Sequence, residues 1–316
     1  MSDERRERRA AAALAREELA RAQPANLWRD TLANLLRQRS AVIGLILIGL
    51  LVLVAALADV LSTHNMLEPL FNVEPGLKVR QGPCIPFLGC EGPVHLAGID
   101  SNGRDQWSRL VHGARTSLQI GFVTVGFAIV VGTLIGAVAG YAGGFVDNLI
   151  MRIMDVLLAF PALVLAIAIV TVLGVGLINA MLAIAIVSIP VYARVTRASV
   201  ISIKERDFVV ASRALGESPA GLLMRRIMPN ALTPLIVQGS LGIATAVLEV
   251  AALSFLGLGQ QPPYPEWGSM IGAERNQVFA APHLVFIPGL ALAITVLGFN
   301  LLGDGLRDAL DPRLNR

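Results

Sequence analysis

The stretch TSLQIGFVTVGFAIVVGTLIGAVAGY, residues 116–141, contains no charged residue. It is longer than the roughly 20 apolar residues a helix needs to cross a hydrocarbon core about 30 Å thick. Gly132, Gly136 and Gly140 recur within it at every fourth position, which stacks small residues on one helical face and lets a neighbouring helix approach closely. Working outward, five further runs bounded by charge or turn residues fall at about 41–62, 149–173, 177–200, 231–257 and 284–303. The pattern predicts an all-α, polytopic membrane protein with six transmembrane helices.

Composition agrees. Hydrophobic residues make up 54% of the 316, and the 30 glycines raise the apolar share to roughly 63%, against about 45–50% in globular domains. Charged residues fall to 16%, too few to cover a soluble body of this size, so a cytosolic enzyme is excluded. A net charge of +3 gives no support to nucleic-acid binding.

Six crossings put both termini on one side. With the N-terminus inside, twenty Lys and Arg lie on the cytoplasmic face and six on the other: Lys78, Arg80, Arg104, Arg109, Arg115 and Arg275. This asymmetry places both termini in the cytoplasm. Ala56 to Ala58 could pass for a signal-peptide cleavage site, but about 40 residues precede the apolar run, whereas a signal peptide totals about 15–30, so the segment reads as a permanent anchor. The chain then divides into a cytoplasmic tail 1–40, in which Trp28, Leu32 and Leu35 mark a helix lying on the membrane surface, and a first transmembrane helix 41–62. An extracytoplasmic loop 63–115, a five-helix core 116–303 and a cytoplasmic C-tail 304–316 follow. Pro161, Pro190, Pro234 and Pro288 sit in or beside spans, where proline opens or kinks a helix. Such kinks suit a pathway that opens and closes, and they suit static packing equally.

Several chemistries are missing. There is no G-x-x-x-x-G-K-[ST] loop, and the only lysines are Lys78 and Lys204, so the chain does not hydrolyse ATP by itself. His64, His95, His112 and His283 are scattered through external segments, and no metal centre, catalytic set or cofactor is expected. Glu249 is the one acidic residue well inside a span, where a carboxyl must find some partner: substrate, another helix or backbone.

The cytoplasmic insert 201–230 carries the most information. Phe208, Ala211 and Leu215 share a helical face, Gly216 is placed as a helix stop, and Ser218-Pro219 reads as an N-cap followed by proline at the first helical position. Two short helices are expected, the second running from Pro219 to about Met228, with Pro229 opening the fifth span. A solvated basic loop is the plainer alternative. Phe208, Val209 and Leu215 argue instead for burial in a groove of a cytoplasmic partner.

The string RDFVVASRALGESPAGLLMRRIMPN, 206–230, resembles the EAA loop of ABC-importer permeases, with Ala211, Gly216 and Pro229 in motif positions, Val210 where the glutamate stands and Ser212 in place of the second alanine. GIDSNGRDQWSRLVHGARTSL (98–118), FVDNLIMRIMDVLLAFPALVLAI (145–167), LEVAALSFLGLGQQPPYPEWGSMI (248–271) and NLLGDGLRDALDPRL (300–314) are similar to the C-type permeases of the dipeptide, oligopeptide and nickel group. Residues 1–40 and 63–97 match loosely. The resemblance implies a half-channel in a prokaryotic inner membrane, paired with a homologous second permease, two ATP-binding cassette ATPase subunits and an extracytoplasmic substrate-binding protein. Phe208, Ala211, Ser212, Leu215 and Gly216 would then couple it to an ATPase. The external loop is unusually long beside the family's, and Cys84 and Cys90 within it, on the oxidising side of the membrane, are expected to pair. The expected function is an importer permease for peptides or a related solute. The alternatives are a self-sufficient ion-coupled transporter using Glu249 and a membrane scaffold without transport.

Overall fold

The computed structural model describes residues 35–310 except 86, 88 and 91. The expected interfacial helix up to residue 34 and the last six residues of the C-tail lie outside these. Among the described residues the regular elements are helical. Apart from single turns, they are α1 (Arg39–Ala56), α2 (Gln106–Ala142), α3 (Gly144–Leu158), α4 (Ala162–Leu173), α5 (Leu177–Lys204) and α6 (Asp207–Ala214), then α7 (Pro219–Phe255), α8 (Trp267–Glu274) and α9 (His283–Leu310). Of these, α1, α2, α5, α7 and α9 are each long and apolar enough to span a membrane. A sixth span requires α3 and α4 together, and these meet at an angle of 91° across Phe160-Pro161. Proline at this break removes a donor and blocks continuation of α3, so the expected kink becomes a sharp corner.

The core lies where α2, α4, α5 and α7 meet, around Ile120, Val125, Ala166, Ile184, Tyr192, Leu235, Val247 and Leu253. Small residues decide how closely the helices approach. The row predicted in α2 is seated on α5: a methyl group added at Gly132 would stand 2.7 Å from Cβ of Tyr192, one at Gly136 2.8 Å from Cβ of Thr196, and one at Gly140 3.0 Å from Cβ of Val200. Ion pairs fix α3 beside the far half of α5, where Arg197 donates Nε and Nη2 to the two oxygens of Asp147 and Arg194 pairs with Asp155. At the other end Arg115 donates to the carbonyls of Ala55 and Ala56 and to Asp59, which closes the C-terminal turn of α1 against α2.

One helix differs from expectation. The stretch from Pro219 does not stop at Met228: it continues as α7 to Phe255 through a π-helical segment, Leu222–Ile227. The wider π turn accommodates Pro229, which has no N–H to give to the ladder, so this proline lies inside a continuous helix. The far end of α7 is locked into the connection to α8, where the Ser254 hydroxyl accepts from the Gln260 amide and the Arg275 guanidinium lies 5.9 Å from the Phe255 ring centre.

Candidate functional site

Two ends of the bundle carry polar structure. At the end bearing residues 201–230, α5 stops at Lys204, the chain turns at Glu205-Arg206, and α6 begins. Val209 is fully buried against Val200, Ile203, Leu222, Ile227 and Ala231, and this single side chain pins α6 to the bundle. Its burial corrects one expectation: Val209 needs no partner chain to cover it. Phe208 and Leu215 remain exposed, Leu215 by 89%, and Ala211 lies open between them. Ser212 turns its hydroxyl back to the Phe208 carbonyl. Gly216 adopts φ +84°, and the amide of Glu217 donates to the Ser212 carbonyl, so the helix ends on a left-handed residue. Ser218 then accepts from the Gly221 amide and starts α7, and Arg226 pairs with Glu217 across the turn. The result is a short helix anchored by Val209 with an apolar face turned outward.

At the opposite end the loop before α2 folds onto the ends of α2, α8 and α9. Asp100 accepts from the amides of Asn102 and Arg104 and from Arg104 Nε at 2.8 Å, with Arg109 Nε 3.5 Å away. Arg109 also donates to the carbonyls of Met66 and Pro263, and Glu274 accepts from the Ser101 amide. Trp267 donates its indole N–H to the Leu110 carbonyl and packs on Gly113. Glu266 caps α8 by accepting from the amides of Gly268 and Ser269; burial pushes its carboxyl above the ordinary glutamate range, and these hydrogen bonds offset part of the shift. The residues of GIDSNGRDQWSRL thus tie the loop to the helices and line a cleft with Tyr264 and Glu274. Cys84 and Cys90 are joined, with Cα atoms 5.4 Å apart, and Cys84 pairs through its backbone with His95.

The remaining sequence candidate, Glu249, lies partly buried in α7 and forms no hydrogen bond or ion pair with another described residue. Sequence reasoning missed the Asp100–Arg104–Arg109 network, whose members serve a loop fold, and also missed that His64 and His95 come together.

Long apolar helices packed through small residues define a polytopic, all-helical membrane protein. Residues 132–316 match the family described as binding-protein-dependent transport system inner membrane component, and the chain belongs to it. Residues 26–75 match the N-terminal transmembrane domain of oligopeptide transport permease C, so the relationship extends into the region whose resemblance was loose. The dipeptide transport system permease protein DppC of Alkalihalophilus pseudofirmus is 45% identical over 287 residues, 91% of this chain and 90% of its own. The glutathione transport system permease protein GsiD of Pectobacterium atrosepticum is 41% identical, covering 91% of each chain. A chain of the MetNI methionine ABC transporter, in an inward-facing conformation, shares the fold with a TM-score of 0.54 at 20% identity, covering 64% of this chain and 97% of that one. The protein is a permease subunit of an ABC importer. An ion-coupled transporter built on Glu249 is not favoured by this membership.

Proposed function

We propose that this chain forms half of the translocation pathway for short peptides or a related small solute, and that α6 transmits ATP-driven movement to it. The partners are a homologous second permease, two cytoplasmic ATPase subunits, which carry all ATP hydrolysis, and an extracytoplasmic binding protein that delivers the solute. Both termini and α6 face the cytoplasm, following the basic asymmetry of the sequence. The disulfide loop and the cleft beside Asp100 face the binding protein.

The observation that carries the reading is the division of labour within α6. Val209 holds the helix to the bundle while Phe208, Ala211 and Leu215 present an uncovered apolar face at the end of a charged turn. A groove on an ATPase would bury that face. Ala211→Asp would then bury an unpaired carboxylate, costing several kcal/mol unless the contact opens. Gly216→Val would strain the left-handed stop that aims the helix. Both variants are expected to reach normal membrane levels and to assemble with the second permease. In the reconstituted complex they should lose uptake and lose stimulation of ATP hydrolysis by loaded binding protein. Transport at wild-type rates with stimulation intact would show that α6 is not the mechanical link.

A further inference from the structure

Beyond the cleft, the external end gathers two histidines and two carboxylates that transport leaves without a task. His64 follows the helical turn after α1, Glu74 follows the short 3-10 turn Leu70–Asn72, His95 sits in the bridge with Cys84, and Asp105 is the N-cap of α2. The imidazoles stand 5.3 Å apart between centroids, tilted by 35°. Their Nε2 edges meet the two oxygens of Glu74, at 3.3 Å from His64 and 2.9 Å from His95. Their Nδ1 edges meet Asp105 Oδ1, at 3.9 Å and 3.1 Å. The other oxygen of Asp105 is already engaged by the Ser108 amide and hydroxyl, each at 2.7 Å, and by the Thr63 hydroxyl at 3.1 Å. His95 and Asp105 are fully buried.

Glu74 as a carboxylate only accepts hydrogen bonds, and in the tautomer that turns the N–H of both rings toward it the two Nδ1 atoms are left with lone pairs for a cation. The two Nδ1 atoms and Oδ1 of Asp105 face one another, with the Thr63 hydroxyl, 3.0 Å from His64 Nδ1, beside them as the group an ion would displace. In that tautomer a cation among the three atoms would relieve the repulsion of their lone pairs. Bonds of about 2.0–2.2 Å to imidazole and carboxylate set neighbouring donors roughly 3.3 Å apart around a tetrahedral ion. The three donor atoms lie within 4.8 Å of one another, close enough to tighten around one ion. We propose that His64, His95 and Asp105 bind a single divalent transition cation of the zinc class, with Glu74 as the outer carboxylate that orients both rings. Two imidazoles with one carboxylate suit zinc or its transition-metal neighbours and not calcium or magnesium, which take all-oxygen sites. Outer carboxylates of this kind fix the tautomer and raise ligand basicity. The ion would join the end of α1, the external loop and the start of α2 at one point.

The competing occupant is a proton, with His95 as an imidazolium bridging Glu74 and Asp105. Zinc added to the chelator-stripped, full-length protein in detergent, under non-reducing conditions, separates the two. One zinc per chain by equilibrium dialysis with elemental analysis, and visible d–d absorption when Co2+ replaces zinc, are expected. His64→Ala, at a partly exposed position that spares the buried His95, should abolish both signals in protein that still elutes as a single folded species. Glu74→Gln should weaken zinc binding about 10- to 100-fold, and His112→Ala should bind as the wild type does. Absence of stoichiometric zinc from the wild type, or binding unchanged in His64→Ala, would overturn the metal site in favour of the proton. Unchanged affinity in Glu74→Gln would overturn the role given to Glu74.

Discussion

Replacing Gly136 by alanine adds one methyl group where the backbone of α5 already stands. The new Cβ would meet the Ala193 carbonyl oxygen and would lie 2.8 Å from Cβ of Thr196 and 3.0 Å from the Ala193 carbonyl carbon, where ordinary contact begins at 3.4 Å. Neither main-chain atoms nor a β-branched Cβ can rotate away, so the two helices must part by more than half an ångström. That movement also loosens the seats of Gly132 and Gly140. Overpacking of this kind costs about 1–3 kcal/mol. Gly126 in the same helix has nothing within 4 Å of an added Cβ; alanine there should be neutral or stabilise by up to about 1 kcal/mol through lost backbone freedom. The two variants should therefore differ by about 1–4 kcal/mol, at least roughly fivefold in the unfolding equilibrium. Reversible unfolding of the full chain in mixed micelles, followed by tryptophan fluorescence, measures the difference. Equal stability of Gly136→Ala and Gly126→Ala would refute the claim that α2 is seated on α5 through its glycine row.

Val209→Ala should loosen α6 by about 1–3 kcal/mol, because the side chain is fully buried, and trypsin should cut faster at Arg206 and Arg213; Val210→Ala, at an exposed position, should leave the cleavage rate unchanged. Glu266 supplies a pH test whose sign follows from its raised carboxyl. The folded protein holds this proton to higher pH than the unfolded chain, so the associated stability is complete below the ordinary glutamate range and is lost as pH rises through the raised value. Glu266→Gln does not titrate, and the stability of the wild type relative to it should grow as pH falls from about 7 to about 4. A difference that stays flat with pH would remove the burial argument.

The spans were legible because a bilayer imposes one strong requirement, an uncharged run of sufficient length, and the run at 116–141 meets it plainly. The helix it belongs to nonetheless begins at Gln106, ten residues earlier, because Asp105 caps it in a polar setting that hydropathy does not register. Gly216 and Ser218 were readable from residue type, since a left-handed stop and an N-cap are local. Pro229 misled: proline ends a helix by local rules, and the π segment that accommodates it has no sequence signature. Pro161 gave the position of a break without its 91° angle, which depends on how α4 packs against α5. The meeting of His64 with His95 was invisible for a related reason. Thirty-one positions separate them, and only the folded loop, held by the Cys84–His95 bridge and the cap at Asp105, makes them neighbours.

The unbroken course of α7 gives the molecule a lever. At 1.5 Å per residue, the helix from Pro219 to Phe255 is about 55 Å long, with the base of the exposed helix at one tip and the external connection at the other. A tilt of about 5° about its midpoint would swing each tip by roughly 2 Å in opposite senses. On the coupling proposed above, a push received by α6 need not be relayed through a chain of side-chain rearrangements to be felt at the far tip. It would arrive as leverage, with its direction reversed, about the core where α7 packs with α2 and α5.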